Sequence, residues 1–267
     1  MEGVLQDTFD FTRYLVSYES DGLRVYGFLD QPKAAGPHPV VLVLHGYIDP
    51  EIYETVTYTA RYADDLARAG YVVLHPNYRD YPPSDSGPNL FRVGFAVDVL
   101  NLLATVRAQA GLPGLLEEAD GGSIGLMGHS MGGGIALRVL TVDPSVRAAV
   151  LYGSMSGNER WNYEKIWEWS EGSRGAEELA VAEADVVRIQ AINALDHIGA
   201  SVSIHHGSGD ETVPPEWSAD LCARLQNLGK DAECFIYTGA PHTFYGSADA
   251  LLQERVRAFF ERTLMPP

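Results

Sequence analysis

Ser130 stands between glycines in Gly128-His129-Ser130-Met131-Gly132, within "SIGLMGHSMGGGIALRVL" (Ser123 to Leu140). A serine hydroxyl is a weak nucleophile until a base takes its proton. The base, a histidine, needs a carboxylate to orient its ring and to stabilise the imidazolium that forms. Both types occur downstream. "SIHHGSGDETVPP" supplies Asp210, with Glu211 beside it as a rival acid, and "CFIYTGAPHTF" supplies His242. Attack on a carbonyl also creates an oxyanion, which backbone N–H groups can hold. The N–H of Met131 follows the serine, and "LHGYIDP" offers that of Tyr47, whose side chain is left free to line a pocket. Together these residues could carry out acyl transfer. Of the other histidines, His205 and His206 alternate along a strand-like run and read as packing or surface residues. His129 reads as a structural neighbour of the serine.

Such a constellation needs elements that end at one place. The serine follows an apolar strand-like run and precedes a helix-like one, the context of a nucleophile elbow. The glycines on either side let backbone approach closely, and the helix start directs its N–H groups to the same point. From about residue 38 onward, strand-like and helix-like runs alternate: "HPVVLVLHG", "TARYADDLARAG", "YVVLHPNY", "LFRVGFAVDVLNLLATVRAQ", and so on to "ALLQERVRAFFERTL". That rhythm predicts a mostly parallel sheet with helices on both faces, Asp210 and His242 each lying just after a strand. Before it, "TRYLVSYES" and "LRVYGFLDQP" are joined by Asp21-Gly22 and predict an antiparallel edge. Between "VLYGS" and "SVSIHH" the rhythm is interrupted by over forty residues rich in tryptophan, which turn helical in "AEELAVAEADVVRIQAINAL". The expectation is a single domain over 1–267 with an inserted helical cap at about 155–195. Trp161, Tyr163 and Trp167 of that segment are expected, with Tyr47, in the wall of an apolar pocket.

The 267 residues are enough for a sizeable core. A net charge of -17 argues against binding a phosphate backbone. The two cysteines, Cys222 and Cys234, lie in no metal-binding pattern and are expected as small core residues, their pairing left open. No basic segment followed by an apolar one opens the chain, and no run of about 18 apolar residues occurs, so neither a signal peptide nor a membrane span is expected. The expected location is cytoplasmic, although a trimmed secreted form would read the same. Oligomeric state is left open.

"HGY", "GHSMGGG", "GSGDETVPP" and "APHTF" together resemble the α/β-hydrolase superfamily over roughly residues 20 to 262. "NYRDYPPS" (Asn77 to Ser84) is similar to a loop in the catalytic domain of prolyl-oligopeptidase-like (S9) enzymes and related esterases. Glycine commonly follows the asparagine-tyrosine-arginine triplet there; here it is Asp80. The resemblance implies an α/β-hydrolase fold and a serine carboxylic-ester hydrolase with the triad Ser130, Asp210 and His242. It implies no metal, no organic cofactor and a small-molecule ester as substrate. The oligopeptidase propeller has no counterpart, which favours esters over peptides. A small S9-like peptidase and a non-catalytic hydrolase-fold binding protein stand as the alternatives.

Overall fold

Asp21 and Gly22 both take positive φ (51° and 80°), the geometry of a two-residue hairpin turn. The chain therefore doubles back, and β2 (Phe11–Ser20) pairs with β3 (Leu23–Pro32) along its whole length. Strand β1 (Gly3–Asp7) adds antiparallel to the outside of β2. This computed structural model describes residues 1–265.

The remaining strands alternate with helices in chain order. They are β4 (His38–Leu44), α1 (Ala60–Arg68), β5 (Val72–Pro76), α2 (Val93–Gln109), β6 (Ala119–His129), α3 (Met131–Val142) and β7 (Ala148–Tyr152). There follow α4 (Glu159–Trp169), α5 (Ala176–Ala180), α6 (Glu183–Val186), β8 (Ser201–Gly207), α7 (Pro215–Asn227), β9 (Ala232–Tyr237) and α8 (Gly246–Leu264). One nine-stranded sheet results, in the order β1-β2-β3-β5-β4-β6-β7-β8-β9. The pairings from β5 to β9 are parallel, and β3 joins β5 antiparallel. The sheet is thus mostly parallel with an antiparallel N-terminal edge.

Every residue of β4, β5 and β7 is buried, which explains their unbroken apolar runs. Alternate side chains serve opposite faces. Val40, Leu42 and Leu44 pack with α2, α3 and α7 in one core, while Val41 and Val43 pack with α1 and α8 in the other. Among the described residues no helix is long and apolar enough to cross a membrane.

Two expectations need correction. The stretch expected to be helical over residues 176–195 is only α5, α6 and three single 3₁₀ turns. Leu179, Val181, Val186 and Ile189 all pack with Phe91 and Tyr163 in one small apolar cluster. Residues 179 and 181 would lie roughly 200° apart on a continuous helix, so the chain must break to bring them together. Cys222 of α7 and Cys234 of β9 are bonded to each other, with Cα atoms 6.4 Å apart, and are not separate core thiols. They lie twelve residues apart, and the α7–β9 packing brings them face to face.

Candidate active site

The turn between β6 and α3 puts Ser130 at φ 56°, ψ −118°, a conformation that side-chain-bearing residues rarely adopt. Close packing of backbone around it accounts for the glycines. A Cβ on Gly128 would run into the backbone of Gly132, and a Cβ on Gly132 into the carbonyl of Leu44 at the end of β4. The turn is pinned by Ser130 N–H donating to Tyr152 O (2.9 Å) and by Met155 N–H donating to Ser130 O (3.1 Å). Strain at the serine is thereby balanced by hydrogen bonds from β7 and the loop after it.

Asp210 lies just beyond β8, and its side chain is fully buried. Its Oδ1 accepts from the N–H groups of Thr212 (2.9 Å) and Val213 (2.8 Å). Its Oδ2 lies 2.7 Å from His242 Nδ1 and 3.0 Å from His206 Nε2. Burial alone would raise its pKa. The hydrogen bonds from His206 and His242, with the charge of His242, outweigh burial and hold the carboxyl well below its usual range. Glu211 is exposed, so the rival acid faces solvent.

Ser130 and His242 line one cavity of about 520 Å³, together with Tyr47 and Met131. Ser130 and His242 share this cavity without a hydrogen bond between their side chains. Among the described residues no hydrogen bond uses the N–H of Tyr47 or of Met131, whereas Gly46 N–H is engaged by Tyr58 Oη (3.1 Å). The two unengaged donors could meet an oxyanion beside Ser130.

The cavity wall is largely aromatic and apolar, including Tyr81, Phe95, Met155 and Trp217. Tyr163, Ile166 and Trp169 recur every three residues and present one face of α4 to it. Of the four residues expected in a pocket wall, Tyr47 and Tyr163 line this cavity, and Trp161 and Trp167 do not. They fall beyond the two edges of that face. Trp161 pairs with Trp217 of α7, ring centroids 6.3 Å apart, in a neighbouring cleft, and Trp167 packs over Gly172. Arg92 reaches the cavity from a left-handed position (φ 57°) at the start of α2. It shares buried Glu159 with Arg138.

Three residues near the site carry more than the sequence suggested. His206 is fully buried, its Nδ1 2.6 Å from Ser218 Oγ and its Nε2 3.0 Å from Val213 O. A histidine four residues before an acid was its only signal. His129 is also buried, with its Nδ1 bonded to Tyr58 Oη and its Nε2 3.1 Å from His242 O. Asp80, in the place where glycine is common, takes φ 66°, and its side chain accepts from Gly87 N–H (3.2 Å). Aspartate tolerates that region better than most residues, which reconciles it with a loop that elsewhere uses glycine. Arg79 beside it is locked to buried Asp98, with Nη2 2.8 Å from Oδ1.

Residues 25–262 match the Dienelactone hydrolase family. A Bradyrhizobium sp. protein named "Probable 2-oxo-3-(5-oxofuran-2-ylidene)propanoate lactonase" is 24% identical over 236 residues, covering 86% of this chain and 83% of that one. Among solved structures, a Pyrococcus furiosus esterase superposes with a TM-score of 0.73 at 18% identity, covering 95% of this chain and 92% of the esterase. The Pyrococcus horikoshii acylaminoacyl peptidase does so with a TM-score of 0.73 at 19% identity, over 97% of this chain. This chain spans only 43% of that peptidase.

Proposed function

The chain belongs to the dienelactone hydrolase family of α/β-hydrolases, and on that premise we propose that it is a serine hydrolase of carboxylic esters that works through an acyl-enzyme. The observation that carries this reading is the convergence on one cavity of a strained Ser130, a His242 whose Nδ1 is bound by buried Asp210, and two unengaged N–H groups.

In this mechanism Ser130 Oγ attacks the carbonyl carbon and its proton passes to His242 Nε2. Asp210 keeps the proton on Nδ1 and stabilises the imidazolium. Tyr47 and Met131 N–H groups hold the oxyanion. Collapse expels the alcohol, which takes the proton from His242. Water then enters and attacks the acyl carbon as His242 removes its proton; collapse breaks the bond to Ser130 Oγ, which takes that proton back from His242, and the acyl group leaves as a carboxylic acid. No metal or organic cofactor takes part. The aromatic wall suits an aryl or other apolar group on the acyl or alcohol side. A cyclic ester would follow the same steps, its alcohol remaining tethered to the acid. The segment from about 155 to 195 acts as a cap, since Tyr163, Ile166 and Trp169 on it form part of the cavity wall.

The test is turnover of p-nitrophenyl and aryl esters, set beside an aminoacyl anilide, by the wild type and by Ser130→Ala. Losing the serine should cost about 10⁴-fold or more, with the fold retained. A Ser130→Ala protein that keeps more than a few per cent of activity overturns the reading. Anilide turnover exceeding ester turnover would move the activity to amides.

A further inference from the structure

Four groups from three separate parts of the chain form a hydrogen-bonded line behind Ser130. Gly46 N–H, next to the proposed oxyanion donor, lies 3.1 Å from Tyr58 Oη. Tyr58 Oη is bonded to His129 Nδ1, and His129 Nε2 lies 3.1 Å from the carbonyl oxygen of His242. The chemistry of the ends fixes the direction of every bond. The His242 carbonyl can only accept, so His129 Nε2 carries the hydrogen. Burial first, then the charge of His242, brings the pKa of His129 down to about 3, so the ring is neutral and Nδ1 is a bare lone pair. Tyr58 must then donate to Nδ1, and its own lone pair takes the Gly46 N–H.

Each member is held in place by other contacts. Thr59, next to Tyr58, bonds buried His75 through its hydroxyl (2.7 Å). The His129 ring packs against Tyr152 and His242, with centroids 4.3 Å and 4.7 Å away. Gly46 has room only for hydrogen, since a Cβ there would lie 2.6 Å from Tyr58 Oη and 3.1 Å from Ser130 Cβ.

We propose that Tyr58 and His129 are positioning residues, a directed tie that holds the oxyanion loop at Gly46 and the His242 loop at a fixed separation on either side of Ser130. This rests on the serine-hydrolase reading. Neither residue touches the reacting atoms. Engaging Gly46 N–H orients the His45–Gly46 peptide, and His45 Nδ1, 2.7 Å from Gly46 O, orients the next one, which carries the Tyr47 N–H. Holding the His242 carbonyl fixes the backbone that carries the base. A loose tie would misplace donor and base in the transition state while leaving the apolar pocket intact.

The experiment uses a fluorophosphonate probe, which reports serine attack without needing the natural substrate, together with p-nitrophenyl acetate kinetics. Mass spectrometry of the labelled wild type first asks whether the adduct is on Ser130; an adduct elsewhere, or none, overturns the underlying reading and with it the tie. With Ser130 labelled, Tyr58→Phe should lower both the labelling rate and kcat by about 10- to 100-fold while KM stays within about twofold, as expected when an interaction made in the transition state is lost. Tyr58→Phe keeps the ring, so the melting temperature shows whether the fold persists. His129→Asn alone and combined with Tyr58→Phe completes a double-mutant cycle. Members of one line lose their effect together, so the double variant should be no slower than the slower single. A labelling rate and kcat for Tyr58→Phe within twofold of wild type overturn the tie, as do losses that multiply in the double variant. If His129→Asn fails to fold, the kcat and KM of Tyr58→Phe decide alone.

Discussion

Asp210 Oδ2 is shared by two histidines, lying 2.7 Å from His242 Nδ1 and 3.0 Å from His206 Nε2. Only His242 reaches the cavity; the side chain of His206 is fully buried. Its Nε2 also faces the Val213 carbonyl, so that nitrogen carries the hydrogen, and Ser218 Oγ fills its Nδ1. His206 thus braces the far side of the carboxylate. The Thr212 and Val213 N–H groups hold the other oxygen.

Removing His206 should therefore weaken catalysis without touching substrate. His206→Ala leaves a buried carboxylate short of a donor, a loss of about 1–3 kcal/mol in stability. Ester turnover should fall by roughly 10-fold with KM little changed, since the altered group orients the base and does not bind the acyl chain. Steady-state kinetics beside a thermal melt check this; unchanged kcat would make the histidine a packing residue only.

Asp210→Asn should cripple turnover at neutral pH, while Glu211→Gln should not. An amide can favour the wrong histidine tautomer, at a cost of about 10⁴-fold in a well-studied serine protease triad. Glu211 is exposed and its replacement disturbs no buried group. Side-by-side kinetics decide, and greater damage from Glu211→Gln would move the acid by one residue.

Asp210 also predicts a pH dependence of stability. Its carboxyl is held below the ordinary value, about 3.9 for an aspartate. The unfolded chain therefore binds its proton more readily than the folded one. The stabilisation is complete above the ordinary value and is lost as pH falls through it toward the folded value. As pH falls from about 4.5 to about 2.5 the melting temperature should drop more steeply for the wild type than for Asp210→Asn. Parallel slopes would refute the contribution.

Selectivity should respond to the face of α4 and not to its tryptophan content. Trp169→Ala should raise KM for bulky aryl esters and spare acetyl esters, because Trp169 lines the cavity. Trp167→Ala, which removes a ring packed on Gly172, should leave the substrate profile as it was. A substrate panel across acyl sizes separates the two; the reverse outcome would put Trp167 in the wall.

Gly132→Ala tests the elbow as a packing problem. Its Cβ would meet the Leu44 carbonyl, which belongs to the end of a central strand and cannot swing aside. Overpacking of this kind costs about 1–3 kcal/mol, occasionally more. Both the melting temperature and the labelling of Ser130 should fall. Full stability with full labelling would show that the turn has slack.

The residues brought together around Ser130 were legible where the signal was local. A serine between glycines, an acid after one strand and a histidine after the next each sit within a few residues of the feature that betrays them. The mostly parallel sheet was legible for the same reason, through the fully buried runs of β4, β5 and β7. His206, Tyr58 and His129 were not: Ser218 on α7 and Gly46 after β4 lie across a change of element, and His129 meets Tyr58 and the His242 carbonyl from distant segments. The tryptophans were misplaced because composition does not give helical register: Trp167 and Trp169 differ by two residues and point to different surroundings. The disulfide depended on α7 packing against β9, which no spacing reveals.

The broken path of residues 176–195 bears on how this chain can change. Its short helices and single turns gather around a small apolar cluster of their own with Phe91 and Tyr163. The strand ends that carry Ser130, Asp210 and His242 have their backbone committed to hydrogen bonds and close contacts. Insertions and deletions should therefore be better tolerated in the former than in the latter. On the proposed reading, variants of this sequence should gain new substrate ranges by changes within residues 176–195, while Met155, which pins the Ser130 turn, stays in place.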